Sequence, residues 1–365
     1  MTIFRLTNEP KTYAWGSLEL IPALKRIDSN GRPQAEIWFG SHRLDPSEVD
    51  DHIGGNLLER IGELPYLVKL LAAAKPLSIQ AHPSKQRAME QFADGAPGYQ
   101  DGNHKPELIV AVSEFKALCG FRPLLEVSRD IASLANTNEI FSGWLQAFEK
   151  DGLKGATQWA FDASQTAVNQ LVASKDLLDQ DRAQLIAELD LGFPNDNGLL
   201  VSVLMNQVTL QPGQALFLPA GNIHSYLSGL GVEVMAASDN VLRGGLTKKP
   251  VDLDELMHVL TFEPLLDPLV QTKMLSQGVD NYPVPVEDFS FYRVTPSSDR
   301  MMVDLALRGT AILVCVAGEI TLSNSLDELI QLAPEEAPFL RVSTCPLYPS
   351  PSPRDLTRSR IPPPP

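Results

Sequence analysis

The sequence predicts a mostly β fold divided by an α-helical insertion. Three observations carry this. Short apolar runs bounded by turn-forming residues fill positions 1–124, apolar residues at three- and four-residue spacing fill 125–191, and short apolar runs return from 192 onward. At 365 residues, with 44% hydrophobic and 21% charged content, the chain is long enough for large cores and for more than one domain.

Taken in order, Glu107-Leu-Ile-Val-Ala-Val has the apolar density of a buried strand, and Lys69 to Pro83 alternates apolar residues with isolated polar ones. Ile140, Phe141, Trp144, Leu145 and Phe148 share one helix face, as do Leu178, Leu185, Ile186 and Leu189. The helical signal stops at Gly192-Phe-Pro194-Asn-Asp-Asn-Gly198, after which 199–205 and 208–210 read as strands. Pro212-Gly213 makes a turn, Ala215 to Leu218 a strand and Pro219-Ala-Gly221 a second turn, so that His224 opens a strand facing inward. Asp254 to His258 reads as helix, and 288–294, 301–307 and 311–316 as later strands. Residues 346–365 hold eight of the 29 prolines with no apolar periodicity, which predicts a disordered or polyproline-like tail. The implied division is a main unit of 1–124 plus 192–270, a helical insertion of 125–191, a second unit of 271–345 and the atypical tail.

Forty-five acidic against 30 basic residues give a net charge of −15. This argues against nucleic acid or an anionic membrane as partner, and an anionic substrate would need a local basic pocket. Cys119, Cys315 and Cys345 are too far apart for a metal or redox motif and read as thiols of a reducing cytosol. Met1-Thr-Ile-Phe-Arg leads into polar sequence with no signal peptide, and no apolar run is long enough to span a bilayer. A soluble cytoplasmic protein is expected.

Strand alternation aims Gln80 and His82 from one face. Glu107, in His104-Lys105-Pro106-Glu107, and His224 offer a carboxylate and a second imidazole. Two imidazoles, a carboxylate and a neutral amide oxygen suit zinc; iron and manganese also remain compatible with these ligand types. Taken alone, Gln80 and His82 fit a hydrogen-bonded polar pair on a strand better than a pair of ligands. His42, His52 and His258 read as surface or packing histidines, and Trp15 and Trp38 as core aromatics.

Tyr13-Ala-Trp15-Gly16-Ser17, Ala35-Glu36-Ile-Trp38-Phe-Gly40, the Gln80-x-His82 segment, His104-Lys105-Pro106-Glu107 and the run from Asn222 to Lys249 occur in one order that resembles the type I phosphomannose isomerases. The likeness is clear over about the first three quarters of the chain and then fades. The run from Pro212 to His224 also resembles the second metal motif of the cupin superfamily. The resemblance implies two cupin-like jelly-roll barrels with a helical insertion, the second barrel left incomplete by the tail. It further implies one zinc ion per chain and reversible isomerisation of mannose 6-phosphate and fructose 6-phosphate by a monomer.

On this reading Gln80, His82, Glu107 and His224 hold the metal. Arg243, in Asp239-Asn-Val-Leu-Arg243-Gly-Gly, stabilises an enediolate or holds substrate, and His104, Lys105 and Asp239 are acid–base candidates. Trp15 lies near the sugar, and Lys69, Ser78 and Lys249 contact phosphate or sugar. Lys248 stands where the family commonly has Pro. Two other classes fit less well: an iron-dependent cupin oxygenase, which would use more imidazoles, and a non-catalytic cupin that binds a sugar phosphate. No Gly-rich phosphate loop follows an N-terminal strand, which argues against a second, nucleotidyltransferase activity.

Overall fold

A computed structural model describes residues 2–296, 309–323 and 329–341. The strand expected over 301–307, Cys345 and the tail 346–365 lie outside these residues. The chain begins β1 (Thr2–Thr7), α1 (Leu20–Lys25), β2 (Glu36–Phe39), β3 (Glu48–Asp50), α2 (Leu57–Ile61), β4 (Tyr66–Ala73), β5 (Gln80–Ala81), α3 (Lys85–Ala93), β6 (Glu107–Ala111) and β7 (Phe115–Phe121). The insertion follows as α4 (Leu124–Thr137), α5 (Ser142–Asp162), α6 (Gln165–Ala173), α7 (Gln180–Gly192) and α8 (Gly198–Val203). Then come β8 (Met205–Leu210), β9 (Ala215–Leu218), β10 (His224–Ala236), β11 (Leu242–Arg243), α9 (Leu253–Val259), β12 (Lys273–Ser276), β13 (Val279–Tyr282), β14 (Phe291–Val294), β15 (Thr310–Ile312), β16 (Ile320–Ser323), β17 (Leu329–Leu332) and β18 (Ala337–Arg341).

Helix and strand occupy 30% and 29%, so the fold is mixed and sheet-rich, not mostly β. Two differences from the sequence reading explain this. Short helices punctuate the strand-rich parts, started where a side chain meets an orphan backbone N–H: Asn56 caps α2 with a reciprocal Glu59 contact, and Ser84 caps α3. The expected strand over 199–205 is also largely the helix α8, all six of whose residues are buried. An apolar run buried on every side carries no period, so its sequence cannot separate helix from strand. A packing contact helps decide it: Asn197 donates to the carbonyls of Ala160, Phe161 and Ala163, tying the start of α8 to the end of α5. Among the described residues no closed barrel is found; the strands form a nine-stranded sheet and sheets of four, three and two strands.

The nine-stranded sheet is organised by β10. Its N-terminal half pairs with β5 and β7, its C-terminal half with β4 and β6, all antiparallel. Along the β7 ladder the register shifts between Tyr226 and Ser228, and Gly229 just after it takes φ +120°. Such a bulge inserts a residue and flips the alternation, so His224 and Tyr226 before it and Glu233 after it share one face. The Tyr226 hydroxyl accordingly donates to Glu233 Oε1 at 2.9 Å. A Cβ at Gly229 would lie 2.5 Å from the Glu114 carbonyl oxygen. Gly229→Ala is therefore expected to destabilise the fold by about 3 kcal/mol, read as a lower denaturant midpoint. An unchanged midpoint would show that the bulge relaxes freely.

One core joins the insertion to this sheet: Trp144, Leu153, Leu185 and Leu199 pack in the same cluster as Ile79, Leu118, Phe121 and Ile223. On the other side, β1 pairs with β18 and β3, and Leu6 and Phe339 enter a core with Leu70, Val110 and Val232. The N-terminal strand is thereby locked into the sheet that carries β15 and β18. No helix among the described residues is long and apolar enough to cross a membrane.

Candidate metal centre

Adjacent strands bring distant residues into register. β5 lies between β11 and β10, with Gln80 opposite both Arg243 and His224. Directly opposed residues present side chains to the same face of a sheet, so these three stand in a row. Glu107, at the start of β6, lies opposite Met235 of β10.

His82, Glu107 and His224 are all buried, and each offers a ligand atom within 4.8 Å of the others. His82 Nε2 is 3.3 Å from Glu107 Oε1, and His224 Nε2 is 3.4 Å from Glu107 Oε2. The other nitrogen of each ring is committed: His82 Nδ1 contacts the Asn240 carbonyl at 2.7 Å and His224 Nδ1 the Asn222 carbonyl at 3.0 Å. A carbonyl only accepts, so each Nδ1 carries the proton and each Nε2 turns a lone pair inward. Among the described residues, His82 Nε2, Glu107 Oε2 and His224 Nε2 have no hydrogen-bond partner. Three orphaned acceptors converging on one buried point would cost several kcal/mol if left unpaired, and a divalent cation is what such a donor set fits.

The electrostatics agree. Burial holds His82 down at about 4, against an ordinary 6.5, which keeps the ring neutral as a ligand must be. Burial alone would raise the Glu107 carboxyl, but Lys105 and His82 beside it, with contacts from both imidazoles, hold it well below the usual range. Lys105 Nζ sits 2.9 Å from Glu107 Oε1 and is itself buried.

A second buried cluster adjoins the first. Lys69 lies between Glu36, at 3.7 Å, and Glu233, at 3.4 Å, with its ammonium 5.1 Å from the Trp38 ring centroid. Burial disfavours this cation, yet Glu36, Glu233 and Glu107 together raise its pKa above the ordinary lysine value. Burial first, then the charge of Glu107, raises the Glu233 carboxyl. Trp38 Nε1 donates to Glu36 Oε2 at 2.8 Å. Glu36, Glu233, Tyr226 and Trp38 were not singled out as site residues from the sequence. A signal existed for one of them: Glu233 is the single charged residue in the long apolar strand Leu230 to Ala236.

The remaining predicted residues separate. Arg243 is half-buried, its pKa lowered by burial alone. Asp239 is held below the carboxylate range first by a side-chain contact from His42, whose Nε2 is 3.3 Å away. His42 also sets its ring edge against Trp38, so it is a packing residue that reaches the site as well. Trp15 is half-buried against the cluster of Leu71, Ala73 and Tyr226. Ser78 is half-buried just before β5. His104 Nε2 engages Asp288 at 3.0 Å, and Lys249 is exposed, so these two are not drawn into the buried centre. Lys69, expected to meet the substrate anion, is already compensated by two carboxylates. His52 and His258 are exposed.

Comparison with known proteins agrees with this arrangement. A profile of "phosphomannose isomerase type I, catalytic domain" matches residues 3–124. Mannose-6-phosphate isomerase of Escherichia coli is 33% identical over 94% of this chain and 96% of its own length. Mannose-6-phosphate isomerase 1 of Arabidopsis thaliana is 30% identical over 88% of this chain and 85% of its own. A crystal structure of mannose 6-phosphate isomerase bound with zinc and yttrium superposes with a TM-score of 0.84 at 31% identity, covering 93% of this chain and 95% of that one. The similarity thus runs well beyond the first three quarters of the sequence, and the chain belongs to the type I phosphomannose isomerase family.

Proposed function

We propose that this protein is a zinc-dependent aldose–ketose isomerase interconverting mannose 6-phosphate and fructose 6-phosphate. The observation that carries the reading is the set of orphaned atoms His82 Nε2, Glu107 Oε2 and His224 Nε2 at one buried point, in a chain whose relatives bear that name. Gln80, opposite His224, supplies the fourth ligand. When bound, zinc contributes Lewis-acid polarisation of a substrate oxygen.

The chain's own residues supply the rest. The reaction moves a proton between C1 and C2 through an enediol, so one group must take the proton from one carbon and return it to the other. Lys105 and Asp239 are the candidates, Lys105 beside Glu107 and Asp239 kept ionised by His42. His104, bound to Asp288, is the weaker one. Arg243 is permanently cationic and faces the developing oxyanion beside Gln80. Trp15 borders the sugar, Ser78 and Lys249 approach the phosphate, and Lys69 orders the carboxylates Glu36 and Glu233 near the sugar.

The structural reading that accompanies this is a jelly-roll core of 1–124 with 192–270, a helical insertion of 125–191 and a second jelly-roll-like unit of 271–345. The buried free thiols Cys119 and Cys315 and the acidic surface favour a cytoplasmic monomer that binds a phosphorylated hexose and neither nucleic acid nor membrane.

The test is isomerase activity on mannose 6-phosphate before and after chelation, with zinc restored and metal content measured on the same sample. Loss on chelation and recovery with zinc is expected. Full turnover by metal-free protein would overturn the zinc assignment, and zinc-loaded protein that binds the sugar phosphate without turnover would overturn the enzyme.

A further inference from the structure

Asp101 lies outside every motif that marks the site, in the loop between α3 and β6, yet its carboxylate grips one short segment. Oδ1 accepts from Ser238 Oγ at 2.9 Å and from Asn240 Nδ2 at 3.2 Å, and Oδ2 accepts from the Asp239 backbone N–H at 2.8 Å. The segment Ser238-Asp239-Asn240 carries two functional groups that face different ways. The Asn240 carbonyl receives His82 Nδ1 at 2.7 Å, and the Asp239 side chain reaches His42. Asn240 is also fastened from its own side, its Nδ2 donating to the Asp101 and Asn103 carbonyls at 2.8 and 2.9 Å and its Oδ1 accepting from Gln100 N at 2.7 Å.

We propose that Asp101 is a positioning residue that sets the metal ligand His82 and the acid–base candidate Asp239 through a single strap, Ser238 to Asn240. The argument is one of geometry. A ring that donates Nδ1–H to a carbonyl is oriented by that carbonyl, and the carbonyl is only as fixed as the segment bearing it. β10 ends at Ala236 and β11 begins at Leu242, so no sheet ladder holds the strap. Its Ser238 and Asn240 side chains are buried, at 2% and 1% exposure, and hydrogen bonds to the 100–103 loop take the ladder's place. One displacement of the strap would therefore turn the His82 lone pair away from Glu107 and move the Asp239 carboxylate together. This inference rests on the proposed isomerase reading for the role of Asp239, and on the metal centre alone for the role of His82.

The experiment compares Asp101→Asn and Ser238→Ala with wild type in zinc affinity, by competition with a chromogenic chelator, and in kcat and KM at saturating zinc. Asp101→Asn keeps the shape but sets an amide N–H against a strap donor. Zinc affinity is expected to fall about 10-fold and kcat at full occupancy to fall as well, with KM little changed; Ser238→Ala, which removes one bond to Asp101, moves both in the same direction by less. Melting of the metal-free proteins, read separately, registers a merely structural role, which would lower the melting temperature and leave zinc affinity and kcat unaltered. Wild-type zinc affinity in a folded Asp101→Asn or Ser238→Ala protein overturns the proposal. Altered zinc affinity in a chain that shows no isomerase turnover at all leaves the His82 half standing and removes the isomerase reading; a wild-type chain that binds no zinc removes both.

Discussion

Replacement of Glu107 by Ala is expected to empty the metal centre and to destabilise the protein by about 3–5 kcal/mol, the range for removing one partner of a buried ion pair. Glu107 is 2% exposed and Lys105 beside it 7%, so the substitution strands a buried ammonium with no acid 2.9 Å away. It also removes the carboxylate to which His82 and His224 both turn their Nε2 atoms. Glu107→Gln separates the two losses: it keeps the volume and an acceptor, so it is expected to lose zinc while retaining more of the stability. Zinc content by elemental analysis and chemical unfolding on the same preparations would check this. Stoichiometric zinc in folded Glu107→Ala protein would remove Glu107 from the ligand set.

Arg243→Ala should lower kcat by about 100- to 1,000-fold, the scale for losing one preorganised group at a developing oxyanion, while zinc content and thermal stability stay near wild type. Stability is spared because Arg243 is only half-buried and, among the described residues, its charge is shifted by burial with no acidic partner. Arg243→Lys restores a positive charge and loses the planar fork, so it should recover activity in part only. Steady-state kinetics with saturating zinc separates the outcomes. A rise in KM with unchanged kcat would make Arg243 a substrate-holding group and nothing more.

Much of the centre was legible before any coordinates. The carboxylate closing His104-Lys105-Pro106-Glu107 and a histidine opening a strand after Pro219-Ala-Gly221 each depend on local rules and stand at the starts of β6 and β10, whereas β5 covers only Gln80–Ala81 and His82 lies just past it. The helices of this stretch were legible for the same reason, since Ile140, Phe141, Trp144, Leu145 and Phe148 repeat at the helix period and pack in or against one core. Residues 199–203 of the run expected as strand over 199–205 are helix, because an apolar run buried on all sides has no period to read. The two-barrel expectation asked how strands close on one another, a long-range property no local pattern carries.

The pairing of charges was also out of reach. Lys69 suggests an anion-binding group from sequence, but β4 lies between β2 and β10, and those neighbours bring Glu36 and Glu233 to it. His42 looked like a loop histidine until the turn after β2 set it beside Asp239, far along the chain. His104 reads from sequence as an acid–base candidate, and the fold sets its Nε2 against Asp288, a partner 184 residues on.

By itself, then, the sequence determined the helical stretch over 125–191 and which side chains can ligate a borderline divalent cation, because periodicity, turn chemistry and ligand type act over a few residues. Tertiary structure alone decided which of those groups meet. Register across β5, β10 and β11 set Gln80 beside His224 and Arg243, and the bulge between Tyr226 and Ser228 turned Glu233 to the face that Tyr226 occupies. Those placements depend on strands far apart in the chain closing against one another, and a shift of one residue in any of them would send its side chain to the opposite face.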